Sequence, residues 1–239
     1  MIARDARVAG LLYLLLVVIA PLRLIYIPGT LFVNGDAAAT VSNIVAHESL
    51  FRLGIVSDLF CGTLEIFLVL ALYRLFRQVD RTHAVLMLVL GLMPVPIYFL
   101  NTLNDIAALV LSTGPDFLSA FDKPQRDALA MLFLRLHDAQ INALQIFWGA
   151  WLFPLAVLVI RSRFLPRFLG VWLIINGFAY LALSLSGLLA TEFQGTLSKI
   201  ALPAQLGEVA FTLWLLIMGA RMPSPSVPVE SEPRVHSPA

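Results

Sequence analysis

The sequence predicts an all-α fold: an integral membrane bundle of six transmembrane helices, with N and C termini cytoplasmic. Three observations carry that prediction. Hydrophobic residues make up 59% of the 239-residue chain and charged residues only 13%, against the roughly 45–50% apolar content of soluble domains. The excess is gathered into six runs, each long enough to cross the ~30 Å hydrocarbon core as a helix. Basic residues concentrate in alternate connections. The runs are Leu-rich without a period of two, which excludes membrane strands.

The first run, residues 8–27, follows Arg4 and Arg7 and resembles a secretory leader in outline. It carries Arg23 near its far end and stops at Pro28 and Gly29 without a small-residue cleavage pattern, so it reads as a retained helix. Residues 36–50 read as an outer amphipathic helix, with Asp36 at its start and Ala37, Val41, Ile44 and Val45 on one side. It lies on the outer membrane surface or caps the bundle. The remaining runs cover residues 53–75, 84–103, 141–160, 168–189 and 203–219. Helical pattern continues past the third run through Asp105, and the fourth helix starts early, near Pro124. Both therefore project beyond the membrane or break near its surface. Pro94, Pro96 and Pro154 are candidate kinks.

Arg4, Arg7, Arg74, Arg77, Arg81, Arg161, Arg163, Arg167 and Arg221 fall at the termini and in the two short links. Positive charge in short loops marks the cytoplasmic side. Residues 1–221 thus form one transmembrane domain. Residues 222–239, with five prolines and four serines, form a disordered cytoplasmic tail. The net charge of +1 gives no reason to expect nucleic acid, and one cysteine, Cys61, permits no disulfide framework. The oligomeric state is not constrained.

A carboxylate in hydrocarbon costs about 2.5–3.5 kcal/mol on insertion scales, so acids inside the runs are the informative residues. Asp58 and Glu65 are seven residues apart, on nearly one face of the second helix. Asn101, Asn104 and Asp105 share a face of the third. His137, Asp138, Asn142 and Gln145 lie along the fourth, Asn176 and Tyr180 on the fifth, and Gln205 and Glu208 on the sixth. Most fall in the outer half, which predicts one outward-facing polar pocket, or else a hydrogen-bonded packing core. Arg23 and Arg52 are the candidate counter-ions, with Asp58 as the expected partner. His137 is expected at the helix mouth, with an acid/base pairing to Asp58 or Glu208 as the alternative. One histidine among acids is a poor zinc set, so no metal and no cofactor are expected. The tryptophans read as packing or interface aromatics, and Cys61 as a small helix-contact residue.

Several stretches then read as a set. They include the run Arg7 to Tyr13 (RVAGLLY), Gly35 to Thr40 (GDAAAT), Leu50 to Asp58 (LFRLGIVSD) and Leu72 to Arg77 (LYRLFR). Further on come Asn101 to Asn104 (NTLN), Gln145 to Gly149 (QIFWG), Phe164 to Gly170 (FLPRFLG) and Gly207–Glu208 with Leu213 to Leu216 (LWLL). In order and spacing these resemble a bacterial multi-pass membrane family, domain of unknown function 4386, over about residues 5–221. The resemblance implies a six-helix protein of the bacterial inner membrane and no activity. Three functions fit the residues. The first is a membrane protein binding a small or lipidic ligand in the outward pocket. The second is an intramembrane acid/base enzyme acting on an apolar substrate. The third is a proton-coupled transporter, disfavoured by the apolar inner ends of the helices.

Overall fold

A computed structural model of the chain describes residues 2–219; Arg221 and the predicted tail lie outside the described residues. Six helical spans are long and apolar enough to cross a membrane. The first is α1 (Ile2–Pro21), continued through a π-helical turn (Leu22–Tyr26) into α2 (Ile27–Leu31). Proline cannot continue the regular ladder, and directly after Pro21 the backbone widens. The wider turn aims Arg23 into the protein while Leu24, Ile25 and Tyr26 stay exposed. π-Turns of this kind recur at functional sites.

A short helix α3 (Ala37–Ala46) is capped by Asp36, whose carboxylate accepts from the Ala39 amide at 2.9 Å. The expected surface helix over 36–50 is therefore shorter: it ends at His47, and Glu48 already opens α4 (Glu48–Phe76). Its buried face is Thr40, Val41 and Ile44, whereas Val45 is exposed. This face packs on the end of the bundle, against the helices of the third and fourth spans.

The third span is α5 (Arg81–Leu92) and α6 (Pro94–Thr113), broken at Met93 where Pro94 begins a new helix. The fourth, α7 (Lys123–Arg161), runs 39 residues without a break, or about 58 Å. It projects well beyond a hydrocarbon core. Its start is fixed by a capping box, with Asp122 and Gln125 exchanging hydrogen bonds at 2.9 and 3.0 Å. The fifth span is α8 (Arg167–Leu189) and the sixth α9 (Gln194–Ile217). The last span begins well before the expected residue 203. Pro203 is tolerated inside it, and its carbonyl accepts from the Trp172 indole at 3.1 Å.

Each span packs on the next, and the ring closes where α1 meets α9. That closure is tight at the end holding the termini. A Cβ on Gly10 would lie 2.7 Å from the Leu216 amide nitrogen. Between α7 and α8, a Cβ on Gly149 would lie 2.6 Å from the Gly177 carbonyl oxygen. Small residues permit such close backbone contact, which carries helix association in membranes.

Two apolar cores sit at different levels of the ring. One, toward the termini, holds Leu68, Phe76, Met87, Leu155, Val159 and Leu215. The other, toward α3, holds Ile27, Ile44, Phe51, Ala108 and Leu134. At the link between α4 and α5, Asp80 caps α5, accepts from the His83 amide and ring, and pairs with Arg161. The His83 amide hydrogen bond leads in holding the Asp80 carboxyl below its ordinary value, with the His83 ring and Arg161 adding to it.

Candidate functional site

The polar residues inside the ring do not form one site. They divide into a closed cluster and a cavity.

The closed cluster joins four elements. Arg23, from the π-turn, donates from Nε and Nη2 to the two carboxylate oxygens of Asp105 on α6, at 2.7 and 2.6 Å. This two-pronged geometry is the strong form of an ion pair, and both side chains are buried. The Phe32 ring centroid lies 5.7 Å from the guanidinium carbon. His137 of α7 stands between two carboxylates. Its Nδ1 is 3.4 Å from Asp105 Oδ2, and its Nε2 is 4.0 Å from Asp58 Oδ2 of α4. Neither ring nitrogen completes a hydrogen bond among the described residues. Asn101 donates to the His137 carbonyl at 3.3 Å, and Asn104 to Asn101 at 2.9 Å and Gln140 at 3.4 Å, tying α6 to α7.

Asp58, Asp105 and His137 each offer one ligand atom, all within 4.8 Å of one another. The sequence reading expected no metal set, and this convergence was not visible in it. Yet Arg23 already takes both oxygens of Asp105, and the two carboxylates face opposite ring nitrogens. The geometry fits an imidazole bridging two acids better than three groups sharing one cation.

The second region is a cavity of about 580 Å³ inside the ring. Every span contributes to its wall, through Tyr13, Glu65, Tyr98, Gln145, Tyr180 and Glu208 in chain order. Glu208 accepts from the Tyr13 hydroxyl and, at 2.7 Å, from the Asn176 amide, and Tyr180 also faces it. Glu65 makes no hydrogen bond or ion pair among the described residues. Trp148 stands between Tyr98 and Tyr180, with ring centroids 6.2 and 5.7 Å away, and Trp151 lies 6.1 Å from Tyr13. Among the described residues, no lysine, arginine or histidine lines this space. The cavity reaches the surface between the first and last spans, where its lining residues Leu24, Ile25 and Ser198 are exposed.

The model of the family described as domain of unknown function (DUF4386) matches residues 8–219 of the chain. The chain belongs to this family. An uncharacterized protein of Archaeoglobus fulgidus is 34% identical over 77 residues, which cover 32% of this chain and 44% of that protein. The chain thus matches less than half the length of that relative. No solved structure matches. The family's description carries no activity with it, and the six apolar helical spans of this chain are those of a multi-pass membrane protein.

Within this DUF4386 chain, the sequence-predicted residues separate as follows. Asp58, Asn101, Asn104, Asp105 and His137 lie in the closed cluster. Glu65, Gln145, Tyr180, Gln205 and Glu208 line the cavity, with Asn176 behind Glu208. Asp138 lies in a separate cleft of about 330 Å³ beside Arg135. Asn142 accepts from Gln145 at 3.3 Å and from Gln194 at 2.9 Å, tying α7 to the start of α9.

Three expectations are corrected. Arg23 pairs with Asp105 instead of Asp58, because the π-turn turns it toward α6. Arg52 is no counter-ion to the interior: it is exposed and pairs with Glu48 one turn earlier at 2.6 Å. His137 is fully buried, not at a mouth, since α7 runs on well past it.

Sequence reasoning missed Tyr13, Tyr98, Trp148 and Trp151 as wall residues, and Cys61 also lines the cavity. Tyr13 sits alone in an apolar run. The aromatics gave no signal separating a cavity wall from ordinary packing.

Proposed function

We propose that this chain is a plasma-membrane binding protein whose central cavity takes up a small amphiphilic or lipidic ligand sideways from the bilayer. One observation carries the reading: a cavity walled by all six spans, acidic at Glu65 and Glu208 and aromatic around them, that meets the exposed apolar surface beside Leu24 and Ile25. Its volume lies within the ~300–1,000 Å³ of ordinary ligand sites.

The arginines of the short links and of the N-terminal segment support a cytoplasmic location for the terminal end. The opening beyond Pro21 then faces the outer leaflet. Toward the termini the cavity ends on the core around Phe76, Leu155 and Leu215. This favours a blind pocket over a transport path. The His137 pairing of the acid/base reading sets His137 beside Asp58, and neither residue is among those lining the cavity, so that pair does not face a substrate there.

Lipid and metabolite mass spectrometry on the purified full chain tests the proposal, repeated with Glu65→Gln and Glu208→Gln. An amphiphile retained by the wild type and reduced severalfold in a variant is the expected result. A wild-type protein that retains none above a membrane-protein control would overturn it.

A further inference from the structure

We infer that the cavity selects a positively charged amphiphile: an amine or quaternary ammonium head carried on an aliphatic chain. This rests on the proposed binding function and adds the chemical class of the ligand.

The argument begins with charge. Glu65 and Glu208 face one cavity, and among the described residues no basic side chain lines it. The two acids differ in their hydrogen bonding. Glu208 is held by Tyr13 and Asn176, whereas Glu65 has no partner among the described residues. In the neighbouring cluster Asp105 has the guanidinium of Arg23 on both oxygens. The described residues therefore supply a cation to one buried acid and none to the cavity acids. A ligand cation completes the set, since a carboxylate stays ionised in the interior only beside a partner of opposite charge.

The walls point the same way. Trp148, flanked by Tyr98 and Tyr180, presents aromatic rings on the same cavity as the acids. Aromatic faces attract cations, and clustered rings are the recognised means of holding quaternary ammonium. An anionic head would meet two carboxylates and no donor of opposite charge. The tail has its own route, because the opening at Leu24 and Ile25 is apolar and exposed. A free headgroup without a chain would leave that part of the site unfilled.

The test uses the full chain in dodecyl maltoside, held on scintillation beads, with tritiated dodecyltrimethylammonium as the probe. Unlabelled dodecanol, dodecanoate and tetramethylammonium are the competitors. The inference predicts saturable binding of the probe. Dodecanol, dodecanoate and tetramethylammonium should each need at least tenfold more than unlabelled probe to displace it. Glu65→Gln, which breaks no hydrogen bond, should weaken probe binding tenfold or more while eluting as the wild type does. Equal displacement by dodecanol, with Glu65→Gln unchanged, would overturn the charge selectivity and leave the cavity as an amphiphile site. Displacement by tetramethylammonium as effective as by the probe would overturn the requirement for a chain. No saturable binding of the probe would overturn the inference, and a parallel titration with tritiated dodecanol then decides whether the cavity binds amphiphiles at all. The comparison among competitors stands on the wild type alone, so it holds even if Glu65→Gln misfolds.

Discussion

Asp58 and Glu65 stand on one face of α4, about 10 Å apart along its axis, and they belong to opposite kinds of interior. Around Asp58 the protein has filled the interior with its own side chains: Arg23 grips the neighbouring Asp105, His137 occupies the space between Asp105 and Asp58 at 3.4 and 4.0 Å, and the asparagines tie the backbone. Around Glu65 it has left space and two acids, with no cation among the described residues. The difference teaches that burial of an acid in a membrane protein does not by itself mark a site. The informative feature is whether the protein fills the space beside the acid or leaves it open.

Substitutions can break that contrast, and the largest effect belongs to the closed cluster. Arg23→Ala strands Asp105 in the interior, and breaking a buried pair typically costs about 3–5 kcal/mol. Chemical unfolding in mixed micelles should show a loss of that order. The double variant Arg23→Met with Asp105→Leu should recover most of it, because no charge remains unpaired.

Glu208→Ala comes next. It leaves the donors of Tyr13 and Asn176 without their acceptor, which costs about 1–3 kcal/mol for stranded buried groups. The same unfolding measurement checks it. Adding Tyr13→Phe should return part of the loss, since one stranded donor is removed.

Glu65→Gln is the sharpest contrast. It should shift stability by less than about 0.5 kcal/mol, while ligand retention falls severalfold by mass spectrometry. A large stability loss here would place Glu65 among the structural acids.

The smallest effect lies at the surface. Hydrogen bonds and the Arg161 pairing hold the Asp80 carboxyl below its ordinary value. A depressed folded-state pKa means the stabilisation is fully present above the unfolded value of about 3.9. It is lost as pH falls through the lower folded value. Melting curves of the wild type should therefore show no Asp80 contribution to pH dependence between pH 5 and 8. Asp80→Asn should lower the melting temperature slightly across that range, and the gap should close in acid.

The six spans were legible because hydrophobic length is a direct consequence of bilayer thickness. Their ends were less so. Glu48 and Gln194 open helices with polar residues that a hydropathy reading excludes, and α7 continues far past the membrane thickness. The polar faces were legible from helical spacing, which found Glu65, Glu208, Asp58 and Asp105. Their partition into two regions was not, because it depends on where Arg23 points. That direction is set by a π-turn, and no periodicity in the sequence announces one. The aromatic wall was hidden for a different reason: Trp148 and Tyr98 have the same spacing whether they pack together or border a void.

The most direct test of the central claim, a cavity open sideways to lipid, uses the tryptophans. Of the four in the chain, Trp148 and Trp151 line the cavity. With Trp172 and Trp214 replaced by phenylalanine, the remaining emission comes from these two. Reconstituted in phosphatidylcholine brominated on its acyl chains, the variant should lose a large part of that emission. The loss should diminish when Ile25 and Ser198 are both changed to phenylalanine to narrow the opening. Emission unaffected by brominated chains would contradict the account, because it would mean that lipid does not reach the cavity.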